Sequence, residues 1–163
     1  MIGRFQEWYK SVCSHDQRID AVRFFAVMNE FCFPSEPRLA QLFQFFDFYR
    51  GGRIDVTDFY LLTSLLLASA LNMRIIFLYQ HQNNIISYIQ DCPGNLVKVS
   101  GLVELAQCAG VGQHTLSRVL QRLSKHFNVN TATVTAAVNF LFACFLEQDR
   151  LETSGCLPYA AIV

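Results

Sequence analysis

The chain is 163 residues long, carries no net charge, and only 16% of it is charged, although 52% is hydrophobic. An ordinary soluble domain carries about 25% charged residues, so this one has little with which to wet its surface, and part of that surface is expected to be covered by another protein. A balanced charge gives no electrostatic reason to expect nucleic acid or an anionic membrane as partner.

The first residues, running through Phe5, Trp8, Tyr9 and Val12, place apolar side chains at helical spacing and contain no apolar run of a secretory leader. A polar stretch from Cys13 to Gln17 follows, then Arg18-Ile19-Asp20 and an apolar segment from Phe24 and Phe25. Leu39, Leu42, Phe43 and Phe46 repeat the i, i+3, i+4, i+7 pattern. Ser35 is a suitable N-cap for that helix, and Pro37 is tolerated in its first turn. From Asp47 to Asp58 the chain is polar and glycine-bearing, and an apolar helix is expected from Phe59 onward. Arg53-Ile54-Asp55 inside this loop repeats the earlier Arg18-Ile19-Asp20.

The outline of helix, loop and helix returns downstream. The segment around Ile85, Ile86 and Ile89 aligns without gaps on that around Leu42, Phe43 and Phe46, and its loop passes through Gly94 and Val97. A looser fourth copy has Leu116, Val119, Leu120 and Leu123, a polar loop, a loop centre at about Val134, and an apolar helix through Phe145. The interval between second and third copies is longer than the others, which implies two pairs joined by a connector. Expected boundaries are 1–70 for the first pair, a connector helix at 71–82, 83–148 for the second pair and a tail at 149–163. Phe59–Met73 and Asn128–Leu146 are uncharged, but polar residues interrupt both, so buried helices are expected rather than membrane spans.

These repeats resemble the EF-hand superfamily, over about residues 3–146. The second copy carries the likeness best, with Asp47 at loop position one, Gly52 at six, Ile54 at eight, Asp55 at nine and Asp58 at twelve. The resemblance implies an all-α fold of four EF-hand-like helix–loop–helix units arranged as two pairs, with at most short two-stranded bridges between loops. It also implies that Asp47, Asp55 and Asp58 are the vestige of a cation site. A calcium loop needs oxygen ligands at positions three and five and a bidentate Glu at twelve. Here Tyr49, Gly51 and the shorter Asp58 stand at those positions, with Arg50 and Arg53 nearby to neutralise the carboxylates. The third loop has Cys92, Gly94 and Gly101 at three, five and twelve, and the fourth has no carboxylate. No cofactor is therefore expected, beyond weak calcium or magnesium binding at the second loop.

Paired EF-hands present one apolar face, which implies a partner groove lined by Phe24, Phe25, Met28, Phe31, Leu42, Phe43, Phe46, Phe59, Leu62 and Leu66. Phe-rich, Met-poor surfaces suit one dedicated helix rather than many switchable targets. A narrower likeness, over residues 54–102, is to the EF-hand subunits of sperm-flagellar CatSper channel complexes. It implies a flagellar or ciliary setting.

Histidines at 15, 81, 114 and 126 and cysteines at 13, 32, 92, 108, 144 and 156 show no zinc or catalytic spacing, and no phosphate-binding or nucleophile motif occurs. The expected function is thus non-enzymatic: a calcium-insensitive adaptor, cytoplasmic, holding a helix of a larger cytoskeletal or axonemal assembly. The alternative is a calcium or magnesium sensor acting through the second loop alone.

Overall fold

Four three-residue strands, each with its central side chain buried, organise the described chain. They are β1 (Arg18–Asp20), β2 (Arg53–Asp55), β4 (Leu96–Lys98) and β5 (Thr131–Thr133), centred on Ile19, Ile54, Val97 and Ala132. The structure is a computed structural model that describes residues 18–30, 37–47, 51–91, 96–123, 125 and 130–155. A helix leaves each of these strands directly: α1 (Ala21–Glu30), α3 (Val56–Ala70), α5 (Val99–Cys108) and α7 (Val134–Thr153). The remaining helices are α2 (Pro37–Phe46), α4 (Arg74–Ile89) and α6 (Gln113–Leu123), and a two-residue strand, β3 (Gln90–Asp91), follows α4. The described architecture is mostly helical, in the all-α class, with two small antiparallel sheets.

The turn from strand to helix has a local cause. A helix leaves its first N–H groups unpaired, and a side-chain oxygen at the N-cap answers them. Asp20 Oδ1 accepts from Arg23 N–H at 2.9 Å, and Asp55 Oδ1 accepts from the N–H groups of Thr57 and Asp58 at 2.8 and 2.9 Å. Thr133 Oγ1 accepts from Ala136 N–H at 3.2 Å. Lys98 occupies the equivalent place and offers no side-chain cap, but the N–H of Val99 is taken up by the Asn130 carbonyl at 3.1 Å. Capping by Asp55 explains why α3 begins at Val56, earlier than Phe59, and why Asp58 lies in its first turn.

The chain divides into two compact units, residues 1–63 and 64–163, with α3 running across the division. In the first, β1 and β2 pair antiparallel with Ile19 opposite Ile54, Arg18 opposite Asp55 and Asp20 opposite Arg53. The identical triplets thus set opposite charges across from each other around an aliphatic pair, which favours this register. The Phe24 ring packs on Phe25, Phe43 and Phe59 with centroids 5.3, 5.1 and 6.3 Å apart.

In the second unit β4 is the middle of three strands. Val97 faces Ala132 of β5 on one side and Gln90 of β3 on the other. Two corrections follow. The bridge is three-stranded here rather than two-stranded, because Gln90–Asp91 folds back onto the same loop. The fourth loop centre is Ala132, while Val134 is the first residue of α7; a small alanine carries little apolar signal, and the β-branched neighbour drew the assignment. Residues 74–82, expected as connector, are continuous in α4 with residues 83–89. Helix α7 continues past the expected end of the body to Thr153.

Gly101 lies in α5 where that helix meets the end of α4. A Cβ there would stand 2.8 Å from Ile89 Cγ2. Residue 101 is therefore small because the two helices meet at that point. Gly101→Ala is expected to lower stability by about 1–3 kcal/mol through overpacking, although alanine in a helix interior is otherwise favoured over glycine by roughly 0.5–1 kcal/mol. Urea denaturation of the two proteins measures the sign.

Candidate functional site

The second loop is closed by its own first residue. Asp47 is buried at the end of α2, and its Oδ1 accepts from Gly51 N–H at 3.0 Å while Oδ2 accepts from Gly52 N–H at 2.7 Å. Gly52 has φ of 70°, a left-handed backbone that glycine adopts without steric cost, and this lets its N–H turn inward. Both oxygens of Asp47 are thereby engaged by backbone amides. Asp55 uses Oδ1 as a helix cap, and Asp58 sits in the first turn of α3. Among the described residues no three His, Cys, Asp or Glu side chains come together as a metal cluster. Arg50 and Tyr49 lie outside the described residues, as do the helix expected at Phe5–Val12, Ser35, Cys92 and Gly94.

The residues expected to line a groove are packed as core. Phe24, Met28, Leu42, Phe43, Phe46, Phe59, Leu62 and Leu66 are all buried, and Phe25 is half-buried. Phe31 lies outside the described residues. The physical reason is that Phe24, Phe43 and Phe59 pack on one another, so their faces are spent inside the unit. Apolar side chains that do meet water include Leu67 and Leu71 at the end of α3 and its turn, and Ile76 and Tyr79 on α4, the last 82% exposed.

The second unit holds a polar cluster that the sequence reading missed. Arg74, at the start of α4, is only 1% exposed. Its Nε donates to the Ala109 carbonyl at 2.7 Å, and Ser69 Oγ donates to the same carbonyl at 2.8 Å. Its Nη1 and Nη2 donate to the two oxygens of Glu152, each at 3.0 Å, and Nη1 also bonds Asp149. Glu152 Oε1 further accepts from Gln148 Nε2 at 2.8 Å. Gln148 Oε1 in turn accepts from Gly112 N–H at 3.1 Å and Thr115 Oγ at 3.2 Å. The network ties the α3–α4 turn, the α5–α6 turn and the last turns of α7 together. A signal was present in the sequence: Arg74 is the only charged residue between Asp58 and Asp91. A lone cation in so apolar a stretch is either exposed or paired from a distance.

Burial pushes the Cys144 thiol up to about 12, with Arg122 opposing in part, and Cys108 is also buried and free. Burial lowers the pKa of His81, whose ring lies 5.1 Å from that of Phe77. No helix among the described residues is long and apolar enough to cross a membrane. No protein-family model, curated protein or solved structure matches the chain.

Asp149 titrates above the ordinary aspartate range, because burial and then the neighbouring Glu152 charge outweigh its bonds to Arg74. A carboxyl with a raised pKa in the folded state favours folding below the ordinary value of 3.8, and that advantage is lost as pH rises through the raised value. Asp149→Asn keeps an acceptor for Arg74 and removes the titration. The melting temperature of the variant is therefore expected to gain on that of the parent as pH climbs from below 3.8 to neutrality. Arg74→Met, by contrast, strands two carboxylates and should cost about 3 kcal/mol at neutral pH, the low end for breaking a buried pair because both acids retain some solvent contact.

Proposed function

We propose that the chain is a non-enzymatic adaptor built from EF-hand-like units, whose second loop is held by its own backbone rather than by calcium, and which binds a helix of a larger protein. The observation that carries this is the antiparallel pairing of Arg18–Asp20 with Arg53–Asp55, Ile19 on Ile54, each strand handing to a helix capped by its own aspartate. Beside it, the carboxylate of Asp47 is engaged by Gly51 and Gly52 N–H groups. The second unit supports the same plan, with Val97 on Ala132 and α5 and α7 leaving the two strands. Four such units in two pairs is the fullest form of this reading.

Two features favour protein binding. The chain is short of charge, and apolar side chains at Leu67, Leu71, Ile76 and Tyr79 remain in water. The likeness of residues 54–102 to flagellar channel subunits favours a ciliary or flagellar assembly as the setting. The alternative, a calcium or magnesium sensor, draws on Asp47 and the glycine turn at Gly52.

Isothermal titration of the full chain with Ca²⁺ and with Mg²⁺ is expected to show no micromolar site. Affinity capture of the tagged chain from ciliated cells is expected to recover the same partner with or without a calcium chelator. A micromolar site abolished by Asp47→Ala, or a partner lost on chelation, overturns the adaptor reading in favour of the sensor.

A further inference from the structure

The buried side of α7 is set by Ala137, Phe140, Leu141, Cys144, Phe145 and Gln148. A different face of the same helix carries Phe142, Leu146 and Arg150, each four residues from the last and so stacked in one line. Phe142 is 47% exposed and Leu146 41% exposed, whereas Phe140, Leu141 and Phe145 of the same helix are buried. Opposite this line stand Arg118 and Arg122 of α6, also four residues apart. Together the two helices enclose an open groove of about 630 Å³ with an apolar floor and arginines on both walls.

Charge in the groove is unbalanced. Its three guanidiniums face one carboxylate, Glu147, which Arg118 contacts directly and Arg122 approaches at 4.0 Å. The acids nearest along α7, Asp149 and Glu152, are committed to Arg74. A protein of zero net charge thus concentrates cations beside exposed aromatic and aliphatic surface in one place.

We propose that this groove binds an acidic amphipathic helix of a partner protein, whose apolar side chains cover Phe142 and Leu146 and whose flanking carboxylates pair with Arg122 and Arg150. Guanidinium groups suit carboxylates because their planar fork gives two parallel hydrogen bonds. Each wall carries a row of helical spacing, so a ligand with the same repeat, a helix, can match them. A bilayer surface fits less well: the floor is recessed, and recruitment to anionic lipid takes clusters of about four to eight basic residues. The proposal deepens the adaptor reading by giving the chemistry of the partner, and rests on that reading only for the claim that the ligand is protein. The calcium titration leaves it untouched, so the two fail separately.

The test is selection of binders by the full chain from a displayed library of amphipathic helices of about sixteen residues. Their apolar face is fixed as Leu and Phe, and their flanking positions are randomised among Glu, Lys and Gln. Wild type is expected to enrich Glu over Lys at the flanks by tenfold or more. The Arg122→Glu, Arg150→Glu double variant should lose that preference or reverse it, and circular dichroism confirms that it remains helical. Leu146→Ser should weaken the selected peptides at least fivefold while leaving their charge preference in place. Absence of binders, enrichment indifferent to charge, or the same binders on the double variant overturns the proposal. Sedimentation with phosphatidylserine vesicles is the remaining arm. Vesicle binding abolished by the double variant would assign the groove to a membrane surface instead.

Discussion

A guanidinium removed from water must have its charge and its N–H groups answered within the protein, and Arg74 imposes this condition on the whole second unit. Leaving such a group unpaired costs far more than any single apolar contact returns. Its partners come from three separated stretches: the Ala109 carbonyl beyond α5, Asn72 in the preceding turn, and Asp149 and Glu152 at the end of α7. Asn72 itself adopts a positive φ of 55°, a conformation asparagine tolerates better than most residues. Helix α4 cannot shift along its axis without breaking the fork to Glu152, and α7 cannot fray before Thr153 without stranding the cation. The length of α7 is thus dictated by a residue at the other end of the unit. Because α7 is held at that end, the line of Phe142, Leu146 and Arg150 is presented on a fixed helix face.

The first unit rests on a different principle. Its order comes from the symmetry of two Arg-Ile-Asp triplets. An antiparallel pair of identical three-residue strands places its central residues together and its ends against their opposites. One triplet therefore does three things: the isoleucine fills the space between the helices, the arginine meets the aspartate across the strand, and the aspartate starts the next helix. Slipping the register by one residue would turn Ile19 outward and set like charges closer together.

How far the chain was legible before its structure follows from these two principles. The Ile19–Ile54 bridge was legible because both triplets are local and alike, whereas the N-caps at Asp20 and Asp55 were not, since the helix after the second triplet was expected only from Phe59. Val97 was legible as a strand centre, whereas Ala132 was hidden because alanine looks the same in a loop, a strand or a helix. The aromatic set from Phe24 to Phe59 was legible as one apolar group, but apolarity does not say whether rings face each other or a partner; the contacts of Phe24 with Phe43 and Phe59 come from the fold alone. Arg74 was overlooked because its partners lie far along the sequence, where pattern reasoning has no reach. Only its isolation among uncharged residues marked it. For the same reason Phe142 and Leu146 passed as ordinary core, since the apolar run containing them continues around the helix and only the position of α6 separates one face from the other.

The strand-to-helix turns are held in different ways. Before β2 the oxygens of Asp47 serve the Gly51 and Gly52 amides, so that turn takes its shape from a carboxylate and the backbone alone. After β4, Lys98 stands where Asp20, Asp55 and Thr133 cap the other three helices, and the backbone carbonyl of Asn130 takes up the Val99 N–H instead. Gly101 follows in α5, and even a first side-chain carbon there would stand 2.8 Å from Ile89 Cγ2. A larger residue at that point would have to push α4 and α5 apart, so the close packing of the two helices, rather than the turn itself, decides which residue position 101 accepts.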